Sequence, residues 1–353
     1  MYNSSKEVTD LHIILNRWQE KNFPLKIYIK IESIDIKHAK QRRIIMIFVQ
    51  ILLLVLGFAM LIKGADWFVE GTSGIARKMG IPQLVVGLTI VAMGTSAPEA
   101  AVSITAALKG TADIAVGNVV GSNILNIFII LGITSVITTV AIQKSTLKIE
   151  IPYMILITIV LIVMGMTSNS ISRIEGVILW VLFIIYLIYL FILAKKGKEE
   201  NEKVETSTVK LLISAIIGGV VVVLGSNVTV DSATEIAKTF GMTDRFIGLT
   251  IVALGTSLPE LVTSVTAARK GNADIAIGNI VGSNIFNILF VLGTSALIIP
   301  MVYEPSFLID GIVAIAAGII LWIAVFRKLE LRRVWGIVML TCYVGYFIYL
   351  LKY

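Results

Sequence analysis

Charge is scarce in this chain. Only 15% of its 353 residues are Asp, Glu, Lys or Arg, and 57% are hydrophobic, whereas an ordinary soluble domain is about 25% charged. So apolar a chain reads as a polytopic membrane protein. Histidine is nearly missing, since His12 and His38 are the two in the chain and both precede residue 44. The apolar remainder therefore has no imidazole for a transition-metal site, a proton relay or a catalytic triad. One cysteine, Cys342, excludes an internal disulfide. No phosphate-cradling glycine loop, Cys/His metal spacing or nucleophile elbow occurs. The chain is accordingly expected to be no enzyme and to hold no cofactor. A net charge of +7 could suggest nucleic acid, but the placement of the charges explains it differently.

What the chain does have is a duplication. Gly87–Gly132 recurs 161 residues later as Gly248–Gly293, with 32 of 46 positions identical and no gap. Each copy carries GTSxPE, at residues 94–99 and 255–260, and GNxVGSNIxNI, at 117–127 and 278–288. Glu99 and Glu260 thus fall inside apolar runs long enough to cross a bilayer, where an acidic side chain marks a functional site by default.

A spanning helix needs about 20 mostly apolar residues. Ten such stretches follow from residue 44, roughly 44–63, 84–108, 114–138, 149–167, 174–194, 211–227, 246–268, 275–300, 307–326 and 334–351. The charged linker 194–210 separates two five-helix halves, 44–193 and 211–353. An odd number of spans per half turns the second copy upside down, and inverted repeats put the substrate site at mid-membrane where they meet. The expected fold is therefore all-α, ten transmembrane helices in two inverted repeats with broken helices at the ion site. Loops after the odd-numbered spans hold 16 Lys and Arg against 5 on the other side, leaving residues 1–43 aside. By the positive-inside rule the linker lies in the cytoplasm and both termini face outward. The basic balance is a topology signal and needs no nucleic acid.

Pro98 and Pro259 fall within their spans. Proline lacks an N–H and its ring clashes with the carbonyl four residues back, at Gly94 and Gly255, so each helix should break near GTSxPE. Carbonyls around Ala92–Gly94 and Ala253–Gly255 should then turn inward, which is tolerated at that depth only beside a cavity or within protein. Helical spacing aligns Thr95, Glu99 and Ser103, and likewise Thr256, Glu260 and Ser264. In the following spans Asn118, Ser122 and Asn126 share a face, matched by Asn279, Ser283 and Asn287. Such a set offers only oxygen ligands, which suits the hard cations Ca2+ or Na+.

The competing interpretation is structural. Glutamates can be held in salt bridges, yet the spans carrying this site contain no Lys, Arg or His. Two unpaired charges would cost ~2.5–3.5 kcal/mol each on the insertion scale, so protons or cations must neutralise them. The hydroxyl and amide stripe is weaker, since such residues also glue membrane helices together, and Gly117, Gly121, Gly278 and Gly282 suit close packing. Asp113 and Asp274 read as helix N-caps, Lys109-Gly110 and Lys270-Gly271 as helix ends. Asp66, Glu70, Asp231 and Glu235 read as solvated.

GTSxPE followed by GNxxGSN, present twice, resembles the alpha-repeats of the Na+/Ca2+ exchangers in the cation/Ca2+ exchanger superfamily, and the compact prokaryotic members most. The resemblance covers the chain from Ile44 onward. It implies a sodium/calcium antiporter of a prokaryotic cell membrane that exchanges Ca2+ for several Na+ by alternating access. Glu99 and Glu260 would be the central Ca2+ ligands, shared with Na+. Thr95, Ser96, Thr256 and Ser257 would add hydroxyls or carbonyls, and the carbonyls of Ala92 and Ala253 outer Na+ positions. Ser122, Asn126, Ser283 and Asn287 would supply the remaining oxygens. K+-dependent relatives carry aspartate where this chain has Asn287, so K+ co-transport is not expected. A Ca2+/H+ antiporter and a passive cation channel remain the alternatives. Beyond the two ions and the lipid bilayer no partner is indicated, and oligomeric state is unreadable.

Residues 1–43 hold 9 Lys or Arg and 5 Asp or Glu. Exporting such a tail without a signal peptide opposes the positive-inside rule. It is expected to be either a misassigned start, with Met46 at the head of the first span, or a disordered extension that transport does not need.

Overall fold

The computed structural model describes residues 25–109, 113–197, 206–241, 253–305 and 307–352. Most of the polar extension, residues 1–24, lies outside the described residues. Two units are distinguished, Met1–Leu52 and Leu53–Tyr353, and helices dominate the second. In chain order they are α1 (Leu25–Met79), α2 (Gln83–Thr95), α3 (Ala97–Leu108), α4 (113–137), α5 (Thr146–Thr167), α6 (Arg173–Lys196) and α7 (Thr208–Thr239). Then come α8 (Ala253–Thr256), α9 (Leu258–Arg269), α10 (Ala273–Ile298), α11 (Phe307–Phe326) and α12 (Arg333–Lys352). Among the described residues, eight of these are long and apolar enough to cross a bilayer, or nine if the bent pair α2–α3 counts as one span. The stretch expected at 246–268 begins outside the described residues. The chain is a nearly all-helical integral membrane protein.

Small departures from an all-α chain occur at the helix ends. Four two-residue strands pair antiparallel. They are β1 (Val140–Ala141) with β4 (Glu330–Leu331), and β2 (Ser170–Ile171) with β3 (Met301–Val302). Each bridge joins a turn of the first copy's half to a turn of the second's. It satisfies backbone groups where helices stop, because an unpaired buried N–H or C=O is costly. Next to β3, Tyr303 is buried and its hydroxyl donates to the Phe307 carbonyl at 3.1 Å. Burial, with Asp310 nearby, pushes that phenol up to about 12, so it stays neutral.

α10 is the centre of the bundle. Its apolar window is 94% buried and that of α4 72%, against 11–44% for the other spans. Lipid is as apolar as leucine, so close backbone approach rather than hydrophobicity holds membrane helices together. The contact between α1 and α7 shows this. Gly57, Gly64 and Gly71 face the backbone of Gly225, Gly218 and Leu211, and a Cβ on Gly218 would lie 2.4 Å from the Phe68 nitrogen. The seven-residue spacing of these glycines carries the contact along both helices. α10 crosses α2 in the same manner at Gly278 and Gly282, which meet the backbone of Gly87 and Leu88. The first copy's equivalent of Gly278 differs: a Cβ on Gly117 would meet the Phe307 ring at 3.5 Å.

α1 and α7 run well beyond their apolar windows, and Glu70, Asp231 and Glu235 project exposed from them. Asp66 instead pairs with Lys270 at 3.1 Å, tying α1 to the end of α9.

Candidate functional site: the crossing of two proline-broken helices

The proline argument holds in the first copy as a 51° bend between α2 and α3. Ser96 sits at the break with φ −82° and ψ 9°, and Pro98 occupies the first turn of α3. Ser257 at φ −89° and ψ 3° plays the same part between α8 and α9. The helices restart there, which puts Glu99 and Glu260 in the first turn of a helix. Carboxylates are favoured at that end, where free N–H groups carry the positive pole of the helix dipole.

Both glutamates are 1% exposed. Neither takes part in the ion pairs Lys238–Glu235 and Lys270–Asp66. Each is held crosswise by the serine at the other copy's break. Ser96 Oγ donates to Glu260 Oε1 at 2.8 Å, and Ser257 Oγ to Glu99 Oε1 at 3.4 Å. Thr256 also stands against Glu99, and Thr95 against Glu260. The second oxygen of each carboxylate, Oε2, is buried and accepts no hydrogen bond.

α4 and α10 contribute a second crosswise set. Asn123 Nδ2 donates to the Asn284 carbonyl and Asn284 Nδ2 to the Asn123 carbonyl, both at 3.1 Å. Their side-chain oxygens in turn accept from Asn287 Nδ2 at 3.2 Å and Asn126 Nδ2 at 2.9 Å. The amide nitrogens of Asn126 and Asn287 are thereby occupied, and their Oδ1 atoms are left buried without a donor. Sequence reasoning passed over Asn123 and Asn284. Each lies inside the GSN of its motif and is offset from the face counted by fours, so only the crossing shows its part.

The remaining expected residues divide. Thr95 Oγ1 donates to Asn279 Oδ1 at 2.9 Å and lies 3.1 and 3.3 Å from the Val91 and Ala92 carbonyls. Ser283 Oγ reaches the Ala92 carbonyl at 3.4 Å, and that carbonyl also accepts from Ser96 N. Ser122 is buried in α4, and Ala253 opens α8. Asn118 and Asn279 act as ties, donating to Ser103 and Ser264 at 3.0 and 2.9 Å and to the carbonyls of Glu99 and Glu260. The carbonyl freed by Pro259, that of Gly255, is taken by Ser226 Oγ of α7 at 2.7 Å. The position 161 residues earlier is Ala65, so the two breaks are not equivalent.

The helix ends agree in part with expectation. Lys109 and Lys270 do cap α3 and α9. The Asp274 assignment is corrected. Asn272 takes the N-cap position, while Asp274 Oδ2 accepts from Gln143 at 2.7 Å, because a longer-range donor competes for the same carboxylate.

Among the described residues no cluster of three or more His, Cys, Asp or Glu exists. Two carboxylates among neutral oxygens, drawn from two copies of one motif inside a membrane bundle, define the class of an ion carrier. A family profile described as sodium/calcium exchanger protein matches residues 49–192 and again 210–352. The chain belongs to that family. It is 35% identical over 348 residues to the sodium/calcium exchanger MaX1 of Methanosarcina acetivorans, covering 86% of this chain and 99% of that one. It is 34% identical over 288 residues to the inner membrane protein YrbG of Escherichia coli, covering 76% and 88%. A solved structure of the sodium-calcium exchanger NCX_Mj, soaked with 10 mM Na+ and zero Ca2+, superposes with TM-score 0.75 at 34% identity, covering 84% of this chain and 97% of that one. The chain is thus a membrane transporter for cation/Ca2+ exchange.

Proposed function

We propose that the protein is a sodium/calcium antiporter of a prokaryotic cell membrane, trading one Ca2+ for several Na+ by alternating access. Its architecture would be ten spans in two inverted repeats, with both termini outside. The observation that carries this is the set of four buried oxygens without donors, Oε2 of Glu99 and Glu260 and Oδ1 of Asn126 and Asn287. Acceptors buried without donors are expensive, and a hard cation satisfies all four. Ser96, Ser257, Thr95, Thr256, Ser122, Ser283 and the carbonyls of Ala92 and Ala253 would complete positions for Ca2+ and Na+.

The charge supports exchange. Two ionised carboxylates carry −2, so one Ca2+ leaves the occluded site neutral, and loading more than two Na+ makes the cycle electrogenic. An empty site would have to bury both charges while changing sides, which is costly. Ions therefore move in exchange and do not leak.

The test is radiotracer Ca2+ uptake into proteoliposomes loaded with Na+, beside a set driven by a pH gradient alone. Uptake should require the Na+ gradient. Uptake driven by pH alone would instead make the carrier a Ca2+/H+ antiporter. Glu99→Gln and Glu260→Gln should each abolish uptake while the protein still inserts. Near wild-type exchange by either variant would make that residue structural.

A further inference from the structure

A cleft of about 550 Å3 opens where α11 ends and α12 begins, outside the duplicated motif. Its apolar wall consists of Trp322, Ile323 and Phe326, all exposed at the end of a span. Arg327, Lys328 and Arg332 of the connecting turn line it too, and they are exposed as well. Trp335 joins them from the first turn of α12. Two ties fix the cleft in place. β4 pairs with β1, and Trp322 Nε1 donates to the Leu147 carbonyl at 3.0 Å. Among the described residues none of the three cations has an ion-pair partner. Glu330, the carboxylate of the same turn, does not line the cleft.

The first half builds the same turn without these charges. Asn169 and Leu329 take left-handed φ values of 51° and 52° just ahead of β2 and β4. Counted from them, Thr167, Ser168 and Ser172 stand where the second half has Arg327, Lys328 and Arg332. Ser172 and Glu175 cap α6 reciprocally. Arg332 and Trp335 hold those two positions at α12, whose first turn has no acidic residue. Cations gathered at the positive pole of a helix are repelled by it and by one another, so the cleft calls for an anion. Arginine suits phosphate, which it can grip with two N–H groups at once. The apolar wall continues the exposed surface of α11, where Ile312, Ile319 and Ile323 face lipid, so the anion is the head of an amphiphile. Tryptophan is at home at that depth. A zwitterionic head would bring its own ammonium to the same three cations. We infer that this cleft binds an anionic phospholipid, with Arg327, Lys328 and Arg332 on its phosphate and Trp322, Ile323 and Phe326 along its acyl chains.

The test uses the full-length protein in phosphatidylcholine nanodiscs titrated with phosphatidylglycerol, read by thermal unfolding and by lipid retention in native mass spectrometry. A ligand that binds the folded state raises its stability saturably. Phosphatidylglycerol should do so for the wild type, and phosphatidylethanolamine should not. Arg327→Gln combined with Arg332→Gln should weaken binding roughly tenfold or more, each basic contact with anionic lipid being worth about fivefold. Lys328→Gln, with a loss of about fivefold, decides the matter if the double variant fails to fold. Lys195→Gln combined with Lys196→Gln removes two cations outside the cleft and controls for diffuse surface charge. It should leave binding unchanged. An equal loss in that control, equal stabilisation by phosphatidylethanolamine, or unchanged phosphatidylglycerol binding in a folded cleft variant overturns the assignment. So does an equal shift from inorganic phosphate in phosphatidylcholine discs, which would make the ligand a soluble anion.

Discussion

Ser96 donates to Glu260 at 2.8 Å across 164 residues of sequence, so the helix break of one copy holds the carboxylate of the other. The reverse bond, from Ser257 to Glu99, is longer at 3.4 Å. Hydrogen bonds to charged groups are worth about 1.5–3 kcal/mol and weaken with distance. Ser96→Ala is therefore expected to raise the half-saturating Ca2+ concentration roughly tenfold or more, and Ser257→Ala distinctly less. Ca2+-dependence curves of the two variants in proteoliposomes measure this. Identical shifts would contradict the asymmetry.

Asn284 bonds Asn126 and the Asn123 backbone, and its proposed effect on the ion is indirect. Asn284→Ala removes the acceptor that occupies the Asn126 nitrogen, so Asn126 Oδ1 is no longer held free for a ligand. Ca2+ affinity should fall by roughly the value of one neutral hydrogen bond, about 0.5–1.5 kcal/mol, with the protein still inserted. Calorimetric Ca2+ titration of the purified variant checks it. Unchanged affinity would show that Asn126 needs no orientation.

Gly218 stands against the backbone of Gly64 and Phe68, neither of which can yield as a side chain would. Gly218→Ala should destabilise the protein by about 1–3 kcal/mol, the usual range for overpacking. Gly345→Ala serves as the control, since no atom among the described residues lies within 4 Å of the added Cβ. Thermal unfolding of both variants in one detergent compares them. A larger loss for Gly345→Ala would mean that α1 and α7 do not meet as described.

Asn287 bears a neutral amide whose nitrogen is committed to Asn123. It cannot supply the extra negative charge expected of a K+ position, so Na+-driven Ca2+ uptake should proceed undiminished when choline replaces K+ on both sides. A strict K+ requirement would refute the proposed ion set.

Much of this protein is legible in its residues alone. The nearly all-helical membrane class follows from scarce charge and long apolar runs, and the family from two copies of GTSxPE and GNxxGSN. Pro98 announces the break that appears as a 51° bend, since a missing N–H and a ring clash are local effects. The eight or nine spans among the described residues neither confirm nor refute the ten counted from hydropathy.

Contacts between distant residues are a different matter. Sequence spacing places Glu99 on a face with Thr95 and Ser103, but cannot show that Ser257 holds it. Spacing by fours picks out Asn126 and misses Asn123 and Asn284, whose role exists only where α4 crosses α10. Asp274 looks like a cap, yet Gln143, 131 residues away in sequence, is its partner. The glycines of α1 and α7 read as ordinary apolar-helix residues, and only their touching backbones give them a purpose. The sequence alone determined which chemistry is available, because composition and helix breaking depend on neighbouring residues. Which oxygens converge, and which are left without donors, only the tertiary structure decided, because that depends on where helices far apart in the chain cross.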